Sequence, residues 1–364
     1  LPAYGFIVSL KKWLIMKLNS FISVFLCILI FGCTESRELS FRKFQKEVVL
    51  KGQLIETELL SYSGLVDIYD TIVIFSNIGS SDGKQVHLFN LNDLRYLASA
   101  GTIGRGPNEI NNPAYCTVDP ANGDIWVMDI GRKSVLKFPV DSIISGEATY
   151  TLECKVPENR FVLLQFSPYG DGFYFADNTE PEKLLSFFNS EGQIVDSIAI
   201  PDKLDLNSVE AMPVNQRMVF FGYSYAFNPD MKRIAIAYKY SDVVTICDSN
   251  GEILKKITGP DRISQEVKDG INDIYCYMEV KADSRFIYAR YKGTTLLDKE
   301  TMTVPLLPKT IHVFNWKGEP IMKIQTEFDM SSFVVDSKNS RLVTYSPSGG
   351  TFVTYELPKE LLDE

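Results

Sequence analysis

His87 and His312 are the only histidines in the 364 residues, so any chemistry that needs imidazole must use one of them. They occupy the same place in two related runs, Val86-His87-Leu88-Phe89-Asn90 and Ile311-His312-Val313-Phe314-Asn315. A His that recurs at one register of a repeated apolar strand reads as structural, because metal or acid–base work would require the imidazoles to converge. Gly222-Tyr223-Ser224-Tyr225-Ala226 places a serine as a nucleophile elbow would. That chemistry requires a strand–turn–helix with an acid and a His downstream, whereas this stretch is strand-like throughout. Gly101-Thr102-Ile103-Gly104-Arg105-Gly106 has the glycines of a phosphate loop but not the Lys-Ser/Thr that reaches a phosphate. Asp248-Ser249-Asn250-Gly251-Glu252 begins like a calcium loop, lacks its 12-residue ligand spacing, and reads as a hairpin. Asp67, Asp119 and Asp336 remain as carboxylates near the ends of inner strands, where an acid, base or metal ligand could sit. No residue is assigned a catalytic role, and no metal or cofactor is expected.

The elements that would carry such groups form a repeat. The runs 86–90, 135–139, 185–189, 244–248, 311–315 and 352–356 are alike, and their spacing of roughly 40–70 residues is that of a blade or solenoid array. Three of them end in the same turn, Phe188-Asn189…Gly192-Gln193, Cys247-Asp248…Gly251-Glu252 and Phe314-Asn315…Gly318-Glu319. There Gly supplies the positive φ of a tight hairpin, and alternating apolar residues resume after it. A second strand precedes each run, as in Ile125-Trp126-Val127-Met128, and an inner strand precedes that, as in Ser332–Asp336. Six four-stranded antiparallel units with no convincing helix make an all-β, six-bladed propeller. The last unit ends after three strands, and an open edge invites aggregation. The strand-like stretch within residues 44–60 is therefore expected to close the ring by pairing with residues 351–355.

Composition is globular, with 45% hydrophobic and 23% charged residues. The formal net charge is −9, and the first 32 residues hold only positive charge, so the remainder is more acidic still. Such a chain is poorly matched to a phosphate backbone, which excludes nucleic acid as the expected partner. Met16-Lys17 followed by the apolar run 21–31 has the length of a signal-peptide core and falls short of the ~20 residues of a membrane span. Residues 1–15, ahead of Met16, read as translated upstream sequence. Residues 16–32 read as the signal peptide, 33–43 as a linker and 44–364 as the propeller. Cys116, Cys154, Cys247 and Cys276 are widely spread without metal-ligand spacing, and free buried thiols are expected.

Three resemblances add to this. Ile30-Phe31-Gly32-Cys33 resembles a bacterial lipobox, which implies a lipid-modified Cys33 as the first mature residue and a membrane contact through the lipid alone. Gly104-Arg-Gly-Pro-Asn-Glu109-Ile-Asn-Asn-Pro113, with Val118-Asp119 and Asp124–Asp129, resembles an NHL repeat over this one blade. With Phe286–Gly293, the whole mature chain resembles the TolB-like six-bladed propeller lipoproteins of gut bacteria. That resemblance implies the fold and an envelope location, periplasmic or surface-facing, and no established activity.

Function is then expected on the face where second-to-third-strand loops and blade connections meet. Its candidate ligand-binding residues are Arg105, Glu109, Asn112, Asp129, Arg132, Asp177, Tyr238, Tyr240, Arg290 and Tyr291. Mixed charges with tyrosines suit a peptide, glycan or protein ligand, since Tyr offers an apolar face and a hydroxyl together. Arg105, Glu109 and Asp129 lead, because a glycine-constrained loop holds its side chains in place. The stretch 290–309 is expected to be a lid or partner contact. A non-enzymatic binding protein is the leading expectation. The alternatives are a propeller lyase, lactonase or glycosidase using channel carboxylates, and a structural scaffold subunit of an envelope complex.

Overall fold

The structure, a computed structural model, describes residues 37–57, 64–77, 81–157, 165–176, 183–199, 222–228, 230–263, 273–295 and 307–362. The folded unit spans Glu38–Glu364. Its chain opens with three short strands, β1 (Glu38–Ser40), β2 (Lys46–Leu50) and β3 (Gln53–Ile55). Six up-and-down blades follow. Blade one is β4 (Gly64–Tyr69), β5 (Ile72–Asn77), β6 (Lys84–Asn90) and β7 (Tyr96–Thr102). Blade two is β8 (Pro113–Val118), β9 (Asp124–Asp129), β10 (Ser134–Pro139) and β11 (Leu152–Lys155). Blade three is β12 (Phe166–Tyr169), β13 (Gly172–Ala176), β14 (Lys183–Asn189) and β15 (Ile194–Ala199). Blade four is β16 (Tyr223–Asn228), β17 (Arg233–Tyr238), β18 (Val243–Asp248) and β19 (Ile253–Thr258). Blade five is β20 (Ile274–Ala282), β21 (Phe286–Thr295), β22 (Thr310–Asn315) and β23 (Pro320–Thr326). Blade six has three strands of its own, β24 (Ser332–Asp336), β25 (Arg341–Ser346) and β26 (Thr351–Glu356).

The hairpins form where the sequence places them. In blade four, the Asp248 carboxylate accepts the N–H groups of Asn250 and Glu252, and Gly251 takes φ 86°. Asn189 and Asn315 do the same for Gly192 and Gly318, each with a bulge in the ladder beside the turn. Blade one has no glycine there: Leu94 itself adopts φ 55°. One short helix, α1 (Val140–Ile144), interrupts blade two, where the sequence pattern indicated none.

Apolar residues on both faces of the middle strands build six buried clusters, one at each junction between successive blades. The junction of blades six and one is as well filled as the rest. Phe75 packs on Tyr345 (ring centroids 4.5 Å apart) and Phe352 (5.3 Å), and Phe89 lies 4.8 Å from Phe352. Burying each such ring contributes about 1.5–3 kcal/mol, so the ring is sealed by packing as well as by pairing.

Closure follows the expectation in part. β3 pairs antiparallel with β26 through Phe352↔Ile55, Val353↔Leu54 and Thr354↔Gln53, giving blade six its fourth strand. The apolar triplet Val48-Val49-Leu50, grouped with it on sequence, goes elsewhere: β2 runs parallel to β23 as a fifth strand of blade five. β1 does likewise on β19 of blade four. Two sheets therefore have five strands and four have four. Residues 38–43 are part of the fold rather than linker, since Phe41 and Phe44 are buried against Phe314 in the junction of blades four and five. Residues 1–36, including Cys33 and the leader, lie outside the described residues, as does Asp177.

Candidate functional site: the central channel

The inner strands surround a cavity of about 550 Å³. Its lining includes Gly64, Ala114 and Gln165, each at or next to the first residue of β4, β8 and β12 respectively. Because Gly64 pairs with Asn77, that end of the channel is the one where second-to-third-strand loops emerge. Two acids, Asp67 and Glu279, and three bases, Lys239, Lys281 and Arg290, line it.

Alternation along the strands positions these groups. Asp67 is mid-strand in β4, opposite Ile74, and accepts Lys281 Nζ at 3.4 Å from blade five; both side chains are about 30% exposed. Burial opposes the charge on Lys281, but Asp67 and Glu279 outweigh it and raise its pKa. Glu279 and Arg290 are cross-strand partners in β20 and β21, with Nε 3.2 Å from the carboxylate. Ser332 Oγ donates to Glu279 at 2.6 Å, and Arg290 Nη1 donates to the Met330 carbonyl at 2.8 Å, so this buried pair is fixed in orientation. Gln165 acts as a strand partner for β16: its amide donates to the Tyr225 carbonyl at 2.7 Å and accepts the Tyr225 N–H at 3.1 Å. Burial raises the pKa of Tyr115 and Tyr225, which keeps both phenols protonated and able to donate.

Lys239 differs from the other cations. It directly follows β17, and its backbone is held on both sides: its N–H donates to the Gly222 carbonyl at 2.8 Å and its carbonyl accepts the Cys276 N–H at 2.6 Å. Its ammonium lies 5.0 Å from the Tyr275 ring centroid and 5.5 Å from that of Tyr240. No carboxylate pairs with it among the described residues, and burial alone lowers its pKa.

The residues nominated from sequence mostly hold the fold together. Asp129 is fully buried and accepts backbone N–H groups from Asn111, Asn112, Gly131 and Arg132. Arg132 lies 3.4 Å from Asp129 and donates to the carbonyls of Gly106, Pro107 and Glu109. Glu109 accepts the Gly106 N–H at 2.6 Å, so this carboxylate is spent on its own turn. Tyr238 and Tyr240 are buried, and Tyr240 donates to Tyr275. Tyr291 is buried too, donating to Asp261 at 2.5 Å. Arg105 and Asn112 are exposed on the loop. Of the nine nominated residues that the structure describes, Arg290 lines the cavity. The sequence passed over Lys239, Lys281, Glu279 and Gln165. Alternation gave no signal for Lys239, because successive residues of a middle strand face the two neighbouring blade junctions in turn; Lys239 lines the cavity from its place just past the end of β17.

The two histidines sit where the repeat puts them. His87 is fully buried on β6 with Nε2 3.1 Å from Asp82, and burial lowers its pKa. His312 on β22 stacks on Tyr291 at 4.3 Å, with Nδ1 3.2 Å from Tyr277 Oη, which is 3.1 Å from Asp242. One proton order satisfies all three groups: His312 Nδ1–H donates to Tyr277, whose hydroxyl donates to Asp242. Burial pushes His312 down to about 3 and raises Asp242. Asp119 and Asp336 close hairpin turns through Ala121 and through Asn339 and Arg341, and Asp67 is not their counterpart but a mid-strand residue. Cys116, Cys154, Cys247 and Cys276 are buried free thiols. Among the described residues there is no group of three or more His, Cys, Asp or Glu placed to hold a metal, and no helix long and apolar enough to cross a membrane. Of the stretch 290–309, residues up to Thr295 extend β21 beside a long β20; residues 296–306 lie outside the described set.

Two solved structures with a similar fold come from Bacteroides species. A DUF4221 family member from Bacteroides vulgatus superposes with a TM-score of 0.55 at 11% identity, covering 84% of this chain and 97% of that one. A Bacteroides fragilis protein described as exported gives 0.55 at 12% identity, covering 87% and 98%. At such identities the likeness shows the fold alone. No protein with a curated description matches the sequence significantly. The TolB-like six-bladed propeller family matches residues 43–338, which takes in β2, β3, blades one to five and the first strand of blade six, and the chain belongs to that family.

Proposed function

We propose that this protein is an exported, lipid-anchored binding protein that takes a polar ligand, or the polar end of a larger peptide, glycan or protein partner, into its central channel. The observation that carries this reading is the cavity of about 550 Å³ lined by charges fixed in orientation and by tyrosine and amide groups. A concave site with few, well-held polar groups is the usual form of a ligand pocket. The two acids favour binding over catalysis: each is held by a cation, so neither is set up as one half of an acid–base pair. Arg105 and Asn112, exposed on the loop before β8, would touch the outer part of a larger partner.

The test uses the full chain with Cys33→Ser, titrated calorimetrically with short peptides and oligosaccharides. Saturable binding with a ligand-dependent rise in melting temperature is expected. Thr117→Trp, which places an indole in the lining, should abolish it. Binding that Thr117→Trp leaves intact would move the site out of the channel. Anchoring is tested separately: a clickable fatty acid should label the parent in a bacterial host and not Cys33→Ser.

A further inference from the structure

We propose that the channel is selective for a ligand bearing a single carboxylate, and that Lys239 is the residue that receives it. This rests on the channel-binding reading above and names its ligand class.

The charges of the described lining leave one cation over. Lys281 is answered by Asp67 and Arg290 by Glu279, which leaves the ammonium of Lys239 as the surplus charge among the described residues of the cavity. A partly desolvated ammonium without a counter-ion is costly in an acidic protein that has carboxylates to spare. Here the cation is held by ring faces instead. The quadrupoles of Tyr240 and Tyr275 attract it without neutralising it, so its full charge remains for an incoming anion. The backbone on both sides of the side chain is tied to β16 and to blade five, so little ordering remains to be done on binding. The charge balance selects the kind of anion. One negative charge neutralises the lining, whereas a phosphate dianion would leave a net negative charge beside Asp67 and Glu279. The protonated Tyr115 phenol of the lining suits an oxygen of a carboxylate-bearing sugar or peptide, and both sources share this chemistry.

The experiment titrates the full chain with Cys33→Ser against matched pairs: a glucose oligosaccharide carrying one glucuronic acid residue and its neutral glucose counterpart, N-acetyl-dialanine and its amide, and sodium sulfate. One of the two acids is expected to bind at least tenfold tighter than its neutral partner, and which acid does so identifies the source. Lys239→Met should lose that tenfold preference while keeping the parent's melting curve, and Lys239→Arg should keep most of it. Equal binding of acid and neutral partner, abolished by Thr117→Trp, would overturn the carboxylate selectivity and leave the channel reading intact. Sulfate binding tighter than either acid would likewise overturn it. Binding of an acid that is indifferent to both Lys239→Met and Thr117→Trp would overturn the inference and the channel reading together.

Discussion

The loop between blades one and two and the channel beside it both gather charged side chains on a rigid scaffold, and they use them in opposite ways. In the loop, Asp129 meets four backbone N–H groups, Arg132 meets three carbonyls and Glu109 caps the Gly106 N–H. These three side chains are spent on the loop itself, and Arg105 and Asn112 remain exposed on it. Among the described residues of the channel, two ion pairs are complete and one lysine rests on aromatic faces with its charge unanswered. A charge that the fold has already satisfied belongs to stability; a charge that the fold positions and leaves unsatisfied belongs to a ligand.

Four substitutions and one pH series would break or sharpen that contrast. Asp129→Ala strands four partly buried N–H groups and removes the carboxylate beside Arg132, and should cost about 3–5 kcal/mol in urea unfolding. A loss under 1 kcal/mol would show that the loop does not depend on its carboxylate. Arg132→Ala should cost about 1–3 kcal/mol, with ligand titrations unchanged. His312 sits between the two regions in kind, a titratable group satisfied in one protonation state. Its folded pKa of about 3 lies below the ordinary 6.5, so its contribution to stability is complete above pH 6.5 and is lost as pH falls towards 3. The loss should approach about 1.4 kcal/mol per pH unit at most, and His312→Phe should flatten it. Asp242, whose pKa is raised, acts with the opposite sign from pH 3.8 upward, so the difference between parent and variant is the quantity to follow. Lys281→Met uncouples a pair that is about 30% exposed and should cost no more than about 1 kcal/mol while disturbing ligand binding. Lys239→Met should have the smallest effect on unfolding, neutral or slightly stabilising, because it removes a desolvated charge. A clear destabilisation there would class Lys239 with Arg132.

Particular residues show why the blades were legible and the site was not. Alternating apolar residues and the Asn/Asp-x-x-Gly turn leave a direct imprint, so the second and third strands fell where the pattern put them. Blade one departs from the turn pattern because Leu94 takes the positive φ that Gly takes elsewhere. The closing strand was legible through the strand that blade six lacks. β1 and β2 were not, because parallel pairing along an edge involves no hairpin and writes no turn into the sequence. At the site, a glycine-constrained loop advertised itself, but its constraint proved to be the work of its own polar side chains. Lys239 carries no motif. Its place just past the end of β17 becomes informative once the channel is known.

The path of the first strands also bears on how the molecule is made. Residues 38–55 are synthesised before any blade, yet their partners are residues 256–258, 322–326 and 352–354. The earliest part of the propeller to emerge thus waits, unpaired, for the latest. Contacts of such sequence separation slow folding, since a long loop must close before they are rewarded. If the chain is exported, as proposed above, the delay would have a use: a propeller that cannot latch until its last strand arrives would stay threadable until it had crossed.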